Sequence, residues 1–267
     1  MSELNWKNYD NPKDQRIILP IGNASVFIIE SEYYLDNQKD LNQFSWWLFG
    51  YAAESDQIAH IRGIDYSIYV DFVDNGYVQI DDWKTVDPNI LINELRNIAK
   101  SNEEYFKKNN LNYAVAIDWI FEPELNLDTN VVSYSYKVKW NTGNFTMEAK
   151  TIKLGKKGYF ESAYIADYND KLDLASVADN SKAFADTINF DEGYRYADYK
   201  SGDKVAAVGI GSLVAGTLGI KALAKAGVFA KFIPMLLKFG WLLLIPLAFV
   251  GKLFGTKPKS RKSKKQK

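Results

Sequence analysis

The sequence predicts an α+β fold: a mainly antiparallel sheet with two or three covering helices, followed by a C-terminal transmembrane helical hairpin. Several segments alternate apolar and polar residues with the two-residue period of a strand that has one buried face. These segments are grouped before and after an amphipathic helix, which is typical of α+β domains. The hairpin is predicted from two apolar segments between residues 205 and 254.

The first 16 residues are polar and mixed in charge, so they predict a flexible, solvated leader. They contain no apolar stretch of the kind found in secretory signal peptides. An acidic α+β domain is predicted to follow over residues 17–192. It begins with a hairpin in which Arg16–Leu19 and Ala24–Ile29 flank a turn that contains proline and glycine.

The polar segment 31–42 predicts a short helix. The aromatic segment 43–51 follows, and we interpret its side chains as core packing. A second hairpin is predicted over residues 65–83 with its turn at Asp74–Gly76, because Asn75 with Gly76 supplies the positive φ angles that a tight turn needs. The same acidic stretch does not fit a calcium-binding loop, since Val73 occupies a ligand position.

A helix is predicted from Pro88 to about Lys108, because Asp87 is a good N-cap and proline is favoured in the first turn. The helix is expected to cover a sheet with the strands Tyr113–Phe121, Val131–Trp140, Phe145–Leu154 and Tyr159–Ile165. A second helix, Lys171–Asp186, and a last short strand, Thr187–Phe190, complete the predicted domain.

The segment from Val205 to Ile220 contains no charged residue and predicts the first membrane span of a hairpin over residues 205–254. Small residues at i, i+4 spacing share one helical face and predict helix–helix packing in the membrane: Ala207, Gly211, Ala215 and Gly219. The alternative is a buried helix of a soluble domain. We expect a chain without residues 204–267 to fold, since the preceding pattern predicts its own core.

The segment Phe232–Gly251 predicts the second span, although it contains Lys238 and two prolines. Its alternative is an interfacial helix from about Ala230 onward. Ten basic residues lie in the junction (193–204) and the tail (255–267), against three in the loop between the spans. Because basic residues stay on the cytoplasmic side, the domain and the tail are both expected there, at the cell (inner) membrane.

The charge is divided unevenly along the chain. Thirteen basic residues and no acidic residue follow Asp203, so residues 1–203 carry 33 acidic and 20 basic residues, a net charge of −13. An acidic domain is unsuited to nucleic acid, whose phosphates need a basic surface. The expected partners are the lipid bilayer and either a second copy of the chain or a membrane protein. The absence of cysteine excludes disulfides and cysteine zinc sites.

The run Gly193–Ala207, followed by Leu213–Gly216 and Lys221, resembles the junction motif of an uncharacterised, mainly bacterial family of predicted membrane-anchored proteins, a domain of unknown function. Further motifs are similar in order and spacing: Gly76–Val78, Asp81 with Asp82, the following amphipathic helix, Trp119 and Leu154–Gly158. The resemblance covers about residues 65–254 and implies no activity or catalytic residue. Members of that family often begin with a signal peptide, whereas this sequence begins with a polar segment. The element order also resembles the photosystem-associated PsbP type.

No catalytic constellation is evident in the sequence, and no enzyme activity, cofactor or metal is predicted. His60 is the single histidine, which excludes a two-histidine metal site, and we interpret it as structural. Two carboxylate pairs, Asp81 with Asp82 and Asp118 with Glu122, are expected by chance in so acidic a domain. We interpret them as solvated surface.

Three classes of function remain open. The leading one is a non-enzymatic interaction or assembly module tethered to a membrane by its C-terminus. The second is a tethered domain that binds a small ligand in an aromatic pocket around Trp46, Trp47, Trp83 and Trp119. The third is a hydrolase that uses carboxylates. A closed domain without a cleft would favour the first class.

Overall fold

The computed structural model describes residues 4–8, 16–28, 32–49, 53, 55–63, 66–167 and 174–218. Within these ranges the chain forms eleven strands and four α-helices. The strands are β1 (Lys7–Asn8), β2 (Arg16–Ile18), β3 (Ala24–Phe27), β4 (Tyr33–Leu35), β5 (Gln57–Arg62), β6 (Tyr66–Val73), β7 (Ala114–Asn126), β8 (Val131–Trp140), β9 (Phe145–Leu154), β10 (Tyr159–Asp167) and β11 (Asn189–Phe190). The helices are α1 (Gln38–Phe49), α2 (Pro88–Lys108), α3 (Leu174–Thr187) and α4 (Ile210–Thr217).

The strands form two antiparallel sheets. The large sheet has eight strands in the order β1-β4-β5-β6-β10-β9-β8-β7, and the small sheet has three in the order β11-β3-β2. Every neighbouring pair in both sheets is antiparallel. The α+β class with a mainly antiparallel sheet, as predicted from the sequence, is confirmed.

Both faces of the large sheet are covered, and each face contributes to a different core. Tyr134 and Tyr136 of β8 pack with α2 and α4 in what we call the first core. Met147 and Ala149 of β9 pack with α3 and the small sheet in the second core. The serines that alternate with the predicted buried residues of β8 are therefore buried as well.

Helix α2 begins where the sequence predicts. The Asp87 carboxylate accepts hydrogen bonds from two backbone N–H groups of the first turn, at 2.9 and 3.3 Å, and Pro88 occupies the first helical position. Leu95 is fully buried in the first core. The indole N–H of Trp119 donates to the Pro88 carbonyl at 3.1 Å, which ties the helix start to β7.

Strand β7 lies at the edge of the large sheet, and Arg96 of α2 covers part of that edge. Arg96 Nε donates to the Ile117 carbonyl at 2.8 Å, and Nη2 donates to Asp118 Oδ1 at 2.9 Å. The pairing of β7 with β8 also shifts register at three places. Both features oppose the addition of a further strand.

The hairpin predicted over residues 65–83 is wrong in its second half. Tyr66–Val73 is a strand and Gly76 has a φ of +99°, as expected. The chain does not return beside β6, however, because β6 pairs with β5 and β10. Turn chemistry shows where a chain bends, but the neighbours of β6 are set by pairing with distant segments.

The helix predicted over residues 31–42 begins later, because Tyr33–Leu35 forms β4 and α1 starts at Gln38. The leader predicted over residues 1–16 also differs from the structure at residues 4–8. Lys7–Asn8 pairs with β4, and Trp6 packs edge-on against Phe44 at a centroid distance of 5.4 Å. Residues 9–15 lie outside the described residues.

The first predicted membrane span is part of the domain over its described residues, 205–218. Val205 forms a parallel bridge with Tyr77, and Ile210, Leu213 and Val214 lie in the first core, each at most 5% exposed. This corresponds to the buried-helix alternative. The pattern is ambiguous because an apolar segment can be covered by protein as well as by lipid.

Across the part of the chain that the structure describes, no helix combines the length and the apolar character that a bilayer crossing requires. The second predicted span, Phe232–Gly251, and the basic tail lie outside the described residues.

Candidate functional site at the domain junction

Stretches that are far apart in the sequence meet around residues 193–204, which we call the junction segment. It runs along two loops of the domain: the 74–82 loop, which follows β6, and the 155–158 turn between β9 and β10. Most of the motifs that carry the family resemblance lie in these three stretches. The fold therefore brings them to one place, at one end of the large sheet.

The backbone of the junction segment is attached to the 155–158 turn. Arg195 forms an antiparallel bridge with Gly155, and the Lys156 N–H donates to the Tyr194 carbonyl at 2.9 Å. Within the segment, the Asp198 carboxylate accepts hydrogen bonds from two backbone N–H groups at 2.9 and 3.0 Å. The junction segment is thus an ordered part of the domain.

Three tyrosines join the junction segment to the 74–82 loop. The ring of Tyr77 stacks on Tyr196 and Tyr199, with centroid distances of 4.4 and 4.1 Å. The Tyr196 hydroxyl donates to the Val78 carbonyl at 2.7 Å. Burial, followed by the interaction with Tyr77, raises the pKa of Tyr196, so its hydroxyl remains a donor at neutral pH.

Tyr77 also binds the chain that leads into α4. Its N–H donates to the Lys204 carbonyl, and its carbonyl accepts from the Ala206 N–H, both at 2.8 Å. The approach is close, because a Cβ on Gly76 would lie 2.7 Å from the Lys204 oxygen. Glycine is therefore required at residue 76 both by this contact and by its positive φ.

Asp82 contacts the N-terminus of α4. Its Oδ1 accepts a hydrogen bond from the Gly211 N–H at 3.1 Å, and a carboxylate is favourable at this end of a helix. A Cβ on Gly209 would lie 2.5 Å from the same carboxylate oxygen. The two glycines let the carboxylate approach the helix, so Asp82 is not simply solvated surface.

Ion pairs add to these contacts at the surface. Lys156 Nζ lies 3.2 Å from Asp203 Oδ2, and Lys204 Nζ donates to the Asp74 carbonyl at 3.1 Å. The Lys200 N–H and the Lys156 ammonium hold the pKa of Asp203 below its usual value. The junction segment is therefore held by stacking, by backbone hydrogen bonds and by charge.

A buried ionic cluster lies at the other end of α4. Lys150 Nζ is 3.1 Å from Glu161 Oε1 and 3.4 Å from Glu148 Oε1, and it donates to the Thr217 carbonyl at 3.1 Å. The Tyr134 hydroxyl hydrogen-bonds Thr217 Oγ1 at 2.6 Å. The carbonyl end of α4 thus faces a buried cation, which is the favourable sense of the helix dipole.

The cluster contains two carboxyl groups for one ammonium. Burial by itself would lower the pKa of Lys150. The carboxylates of Glu161 and Glu148 raise that pKa by more than burial lowers it, so the ammonium keeps its charge. Burial raises the pKa of Glu161, and Lys150 only partly opposes this. Glu161 therefore holds its proton to a higher pH than an exposed glutamate. These groups anchor the C-terminal end of α4.

The sequence contains a signal for this cluster that the sequence reasoning missed. Glu148 and Lys150 share the period-two face of β9 with Ile152 and Leu154, which are apolar. Charged residues on the buried face of a strand predict a paired site. The partner strand that carries Glu161 was predicted, but not its position beside Lys150.

A cavity of about 530 Å³ adjoins the junction segment. It lies between the β2–β3 turn (residues 18–24) and a polar wall that contains Asp74, Lys157, Asp191 and Tyr194. Phe72 and Phe190 contribute aromatic surface. The volume is within the range of small-ligand sites.

The four residues predicted to pack helices in a membrane do not share one described helical face. Ala207 is exposed and precedes α4, Gly211 contacts Asp82, and Ala215 is buried in the first core. Gly219 lies outside the described residues. Gly211 and Ala215 contact the domain itself, and packing against a second membrane helix stays a prediction.

The predicted aromatic pocket is not assembled by the described residues. Trp83 and Trp119 are partly buried at the first core, whereas Trp46 is 59% exposed on α1, and the side chain of Trp47 lies outside the described part. None of the four lines the junction cavity. Within the described ranges, no group of three or more histidine, aspartate or glutamate side chains is arranged to hold a metal ion.

His60 is fully buried among aromatic rings between α1 and the large sheet. Its ring lies 4.5 Å from Phe44, 4.5 Å from Tyr69 and 5.8 Å from Trp6, measured between centroids. Neither ring nitrogen has a hydrogen-bond partner in the described part of the chain. Burial, with a smaller effect of Arg62, lowers the pKa of His60 to about 3.

We expect His60 to make the fold sensitive to acid. Its pKa is lowered on folding, so its contribution to stability is present above the unfolded pKa of about 6.5 and is lost as the pH falls toward 3. Between pH 7 and pH 4 the free energy of unfolding should fall by about 3 kcal/mol more in the natural chain than in His60→Phe. Urea unfolding of fragment 1–220 at both pH values measures this difference. Equal losses in the two proteins would contradict the assignment.

Comparison with known proteins gives a family and a structural likeness. A family model described as "Protein of unknown function (DUF2167)" matches residues 11–248. No curated protein matches. The solution structure of cyanobacterial PsbP (CyanoP) from Synechocystis sp. PCC 6803 is similar with a TM-score of 0.38 and 10% identity, covering 71% of this chain and 94% of that chain. Because the family model spans most of the sequence, the chain belongs to the DUF2167 family of proteins of unknown function.

Proposed function

We propose that the chain is a non-enzymatic interaction or assembly module that is held at a membrane by its C-terminal part. The proposal rests on one observation, the attachment of α4 to the rest of the domain. The chain leaves the described domain through α4, which is built into the first core and held at both ends by Asp82 and Lys150. The segment that follows Leu218 therefore continues from an ordered part of the domain.

The proposed tether is Phe232–Gly251 with the basic tail that follows it. Residues 205–218 are folded into the domain, so most of the first span of the predicted hairpin is not available to cross a membrane. Residues 219–231, which follow, contain three lysines and are too polar to replace it. The tail is proposed to be cytoplasmic because of its charge. A single crossing places the domain on the opposite side from the tail, and an interfacial segment leaves both on the same side.

The full chain is expected to stay in the membrane fraction after an alkaline carbonate wash. The reason is that Phe232–Gly251 provides enough apolar length for stable insertion. Fragment 1–220, which lacks that segment, should appear in the supernatant and serves as the matched control. Release of the full chain by the wash would overturn the proposed tether.

The interaction role is proposed to involve a second copy of the chain or a membrane protein. Crosslinking of the full chain in native membranes, followed by solubilisation in mild detergent and mass spectrometry, tests it. A single uncrosslinked species, in a chain that resists the carbonate wash, would leave the tether in place and contradict the interaction role.

The second candidate function, binding of a small ligand, now rests on a different site from the one that the sequence suggested. The cavity beside the junction segment combines an apolar floor with convergent charged groups. It therefore favours recognition at the junction, and not around the four tryptophans.

A further inference from the structure

Asn75 and Gly76 form the single Asn–Gly pair in the chain, at the turn that follows β6. An asparagine that precedes glycine is especially prone to deamidation. The reason is that glycine has no side chain to hinder the attack of its own backbone nitrogen on the asparagine side chain. The fold places this reactive pair in the 74–82 loop, against the junction segment.

Deamidation of such a pair needs only water and base. The Gly76 nitrogen gives up its proton and attacks Cγ of Asn75, so that a C–N bond forms, the Cγ–Nδ2 bond breaks and ammonia leaves. Water then opens the cyclic imide at either carbonyl, which gives aspartate or isoaspartate. The overall reaction consumes water and releases ammonia, with no change of oxidation state. The first step requires a Gly76 N–H that can be deprotonated and a backbone that can rotate.

The folded chain opposes both requirements. The Gly76 N–H donates to the Lys157 carbonyl at 2.8 Å, which keeps the proton on the nitrogen. Rotation is restricted because the next N–H, that of Tyr77, donates to the Lys204 carbonyl at 2.8 Å. The side-chain oxygen of Asn75 is buried and has no hydrogen-bond partner among the described residues, so the side chain is screened from water.

Most of this restraint comes from the junction segment. The rings of Tyr196 and Tyr199 stack on Tyr77 at centroid distances of 4.4 and 4.1 Å, and the backbone of residues 204 and 206 pairs with Tyr77. If residues 193–204 detach, Tyr77 loses its stacking partners and its backbone acceptor. Of the two hydrogen bonds that restrain the reactive pair, only the one to Lys157 then remains.

We propose that Asn75 is a deamidation site controlled by the junction segment. The reaction is suppressed while residues 193–204 are bound, and it proceeds when they detach. Isoaspartate adds a methylene group to the main chain before Gly76, which displaces Tyr77 from its two 2.8 Å hydrogen bonds and keeps the segment detached. The modification therefore makes opening of the junction irreversible. This inference goes beyond the proposed interaction role and is independent of the tether.

The test measures deamidation of the full chain in detergent micelles at mildly alkaline pH. Trypsin then releases peptide 63–84, in which Asn75 is the only asparagine, for mass spectrometry. The natural chain should react about a hundredfold more slowly than the same peptide free in solution, because it reacts only through a minor open state. Tyr196→Ala combined with Tyr199→Ala should raise the rate about tenfold, since two aromatic contacts are lost.

The matched control is Tyr33→Ala combined with Tyr105→Ala, because both tyrosines are exposed and lie outside the junction. Its rate should equal that of the natural chain. Asn180 precedes Ser181 within α3 and reports on unfolding of the rest of the domain. It should stay unmodified in the variant that lacks Tyr196 and Tyr199.

A milder variant, Asp203→Asn, opens the junction without removing a ring. It weakens the exposed pair in which Lys156 Nζ lies 3.2 Å from Asp203 Oδ2, and should raise the rate of deamidation about twofold. After prolonged incubation, chains with isoaspartate at residue 75 should be cut by trypsin after Lys200 about tenfold faster than unmodified chains.

Three results would overturn the proposal. The first is equal deamidation of the natural chain and the free peptide. The second is a rate in the junction variants no higher than in the control variant, or a rise at Asn75 that is matched at Asn180. The third is cleavage after Lys200 that does not depend on isoaspartate.

Discussion

A fragment that ends at Asp203 is expected not to fold, whereas a fragment that ends at Ile220 should be soluble and unfold cooperatively. The shorter fragment lacks α4, and with it four large members of the first core: Ile210, Leu213, Val214 and Leu218. Each is at most 5% exposed. Burial of one such side chain is worth about 1.5 to 3 kcal/mol, so their loss approaches the whole stability of a domain, about 5 to 15 kcal/mol.

The shorter fragment also loses polar contacts. Tyr77 loses its backbone partners at residues 204 and 206, and Lys150 loses the Thr217 carbonyl. Fragment 1–209 separates the two contributions, because it keeps the contacts of Tyr77 but lacks α4. Circular dichroism melts and size-exclusion chromatography of the three fragments measure the effect. A cooperative melt of fragment 1–203 at the same temperature as fragment 1–220 would show that α4 is dispensable, as the sequence pattern had indicated.

The second large effect is expected for Lys150→Met in fragment 1–220. The substitution keeps most of the side-chain volume but removes the ammonium that lies 3.1 Å from Glu161 Oε1 and 3.4 Å from Glu148 Oε1. Removing one partner of a buried ion pair costs about 3 to 5 kcal/mol, because the remaining charge is left buried without compensation. Urea unfolding at neutral pH measures the loss.

The loss in Lys150→Met should depend on pH in a defined direction. Glu161 has a raised pKa in the folded chain, so its contribution to stability is present below the unfolded pKa, about 4.5, and is lost as the pH rises through the folded value. Without Lys150 that value should rise further. The variant should therefore be relatively more stable at pH 5 than at pH 8.

Two comparisons isolate the cluster. Lys139→Met removes a lysine that is exposed on the neighbouring strand β8, and it should change the free energy of unfolding by no more than about 0.5 kcal/mol. Adding Glu161→Gln to Lys150→Met removes one uncompensated carboxyl and should restore part of the stability. If Lys150→Met costs no more than Lys139→Met, the cluster does not contribute to holding α4.

Local patterns predicted several elements to the residue. The bounds of β8 and β9, Val131–Trp140 and Phe145–Leu154, agree with the sequence prediction because alternation is a property of the strand itself. The start of α2 at Pro88 agrees because its cap, Asp87, is adjacent in sequence. Strands β4 and β5 were missed, since β4 has only three residues and the places of both are set by pairing with β1 and β6.

The candidate site depended still more on tertiary contacts. The motifs of the 74–82 loop, the 155–158 turn and the junction segment were visible in the sequence, but nothing local showed that Tyr77 stacks on Tyr196 and Tyr199. The cavity is likewise formed by turns that are distant in sequence, with the β2–β3 turn opposite Lys157 and Asp191.

The sequence by itself determined the α+β class, the acidic character of residues 1–203, and the helix and strands whose signals are local. The tertiary structure decided what covers the apolar segment after Val205 and which charges are neutralised inside the domain. Hydropathy and charge belong to single residues, whereas burial requires a second surface. For Ile210–Thr217 that surface is the first core, and for Lys150 it is the carboxylate of Glu161 from another strand and the carbonyl of Thr217 at the end of α4.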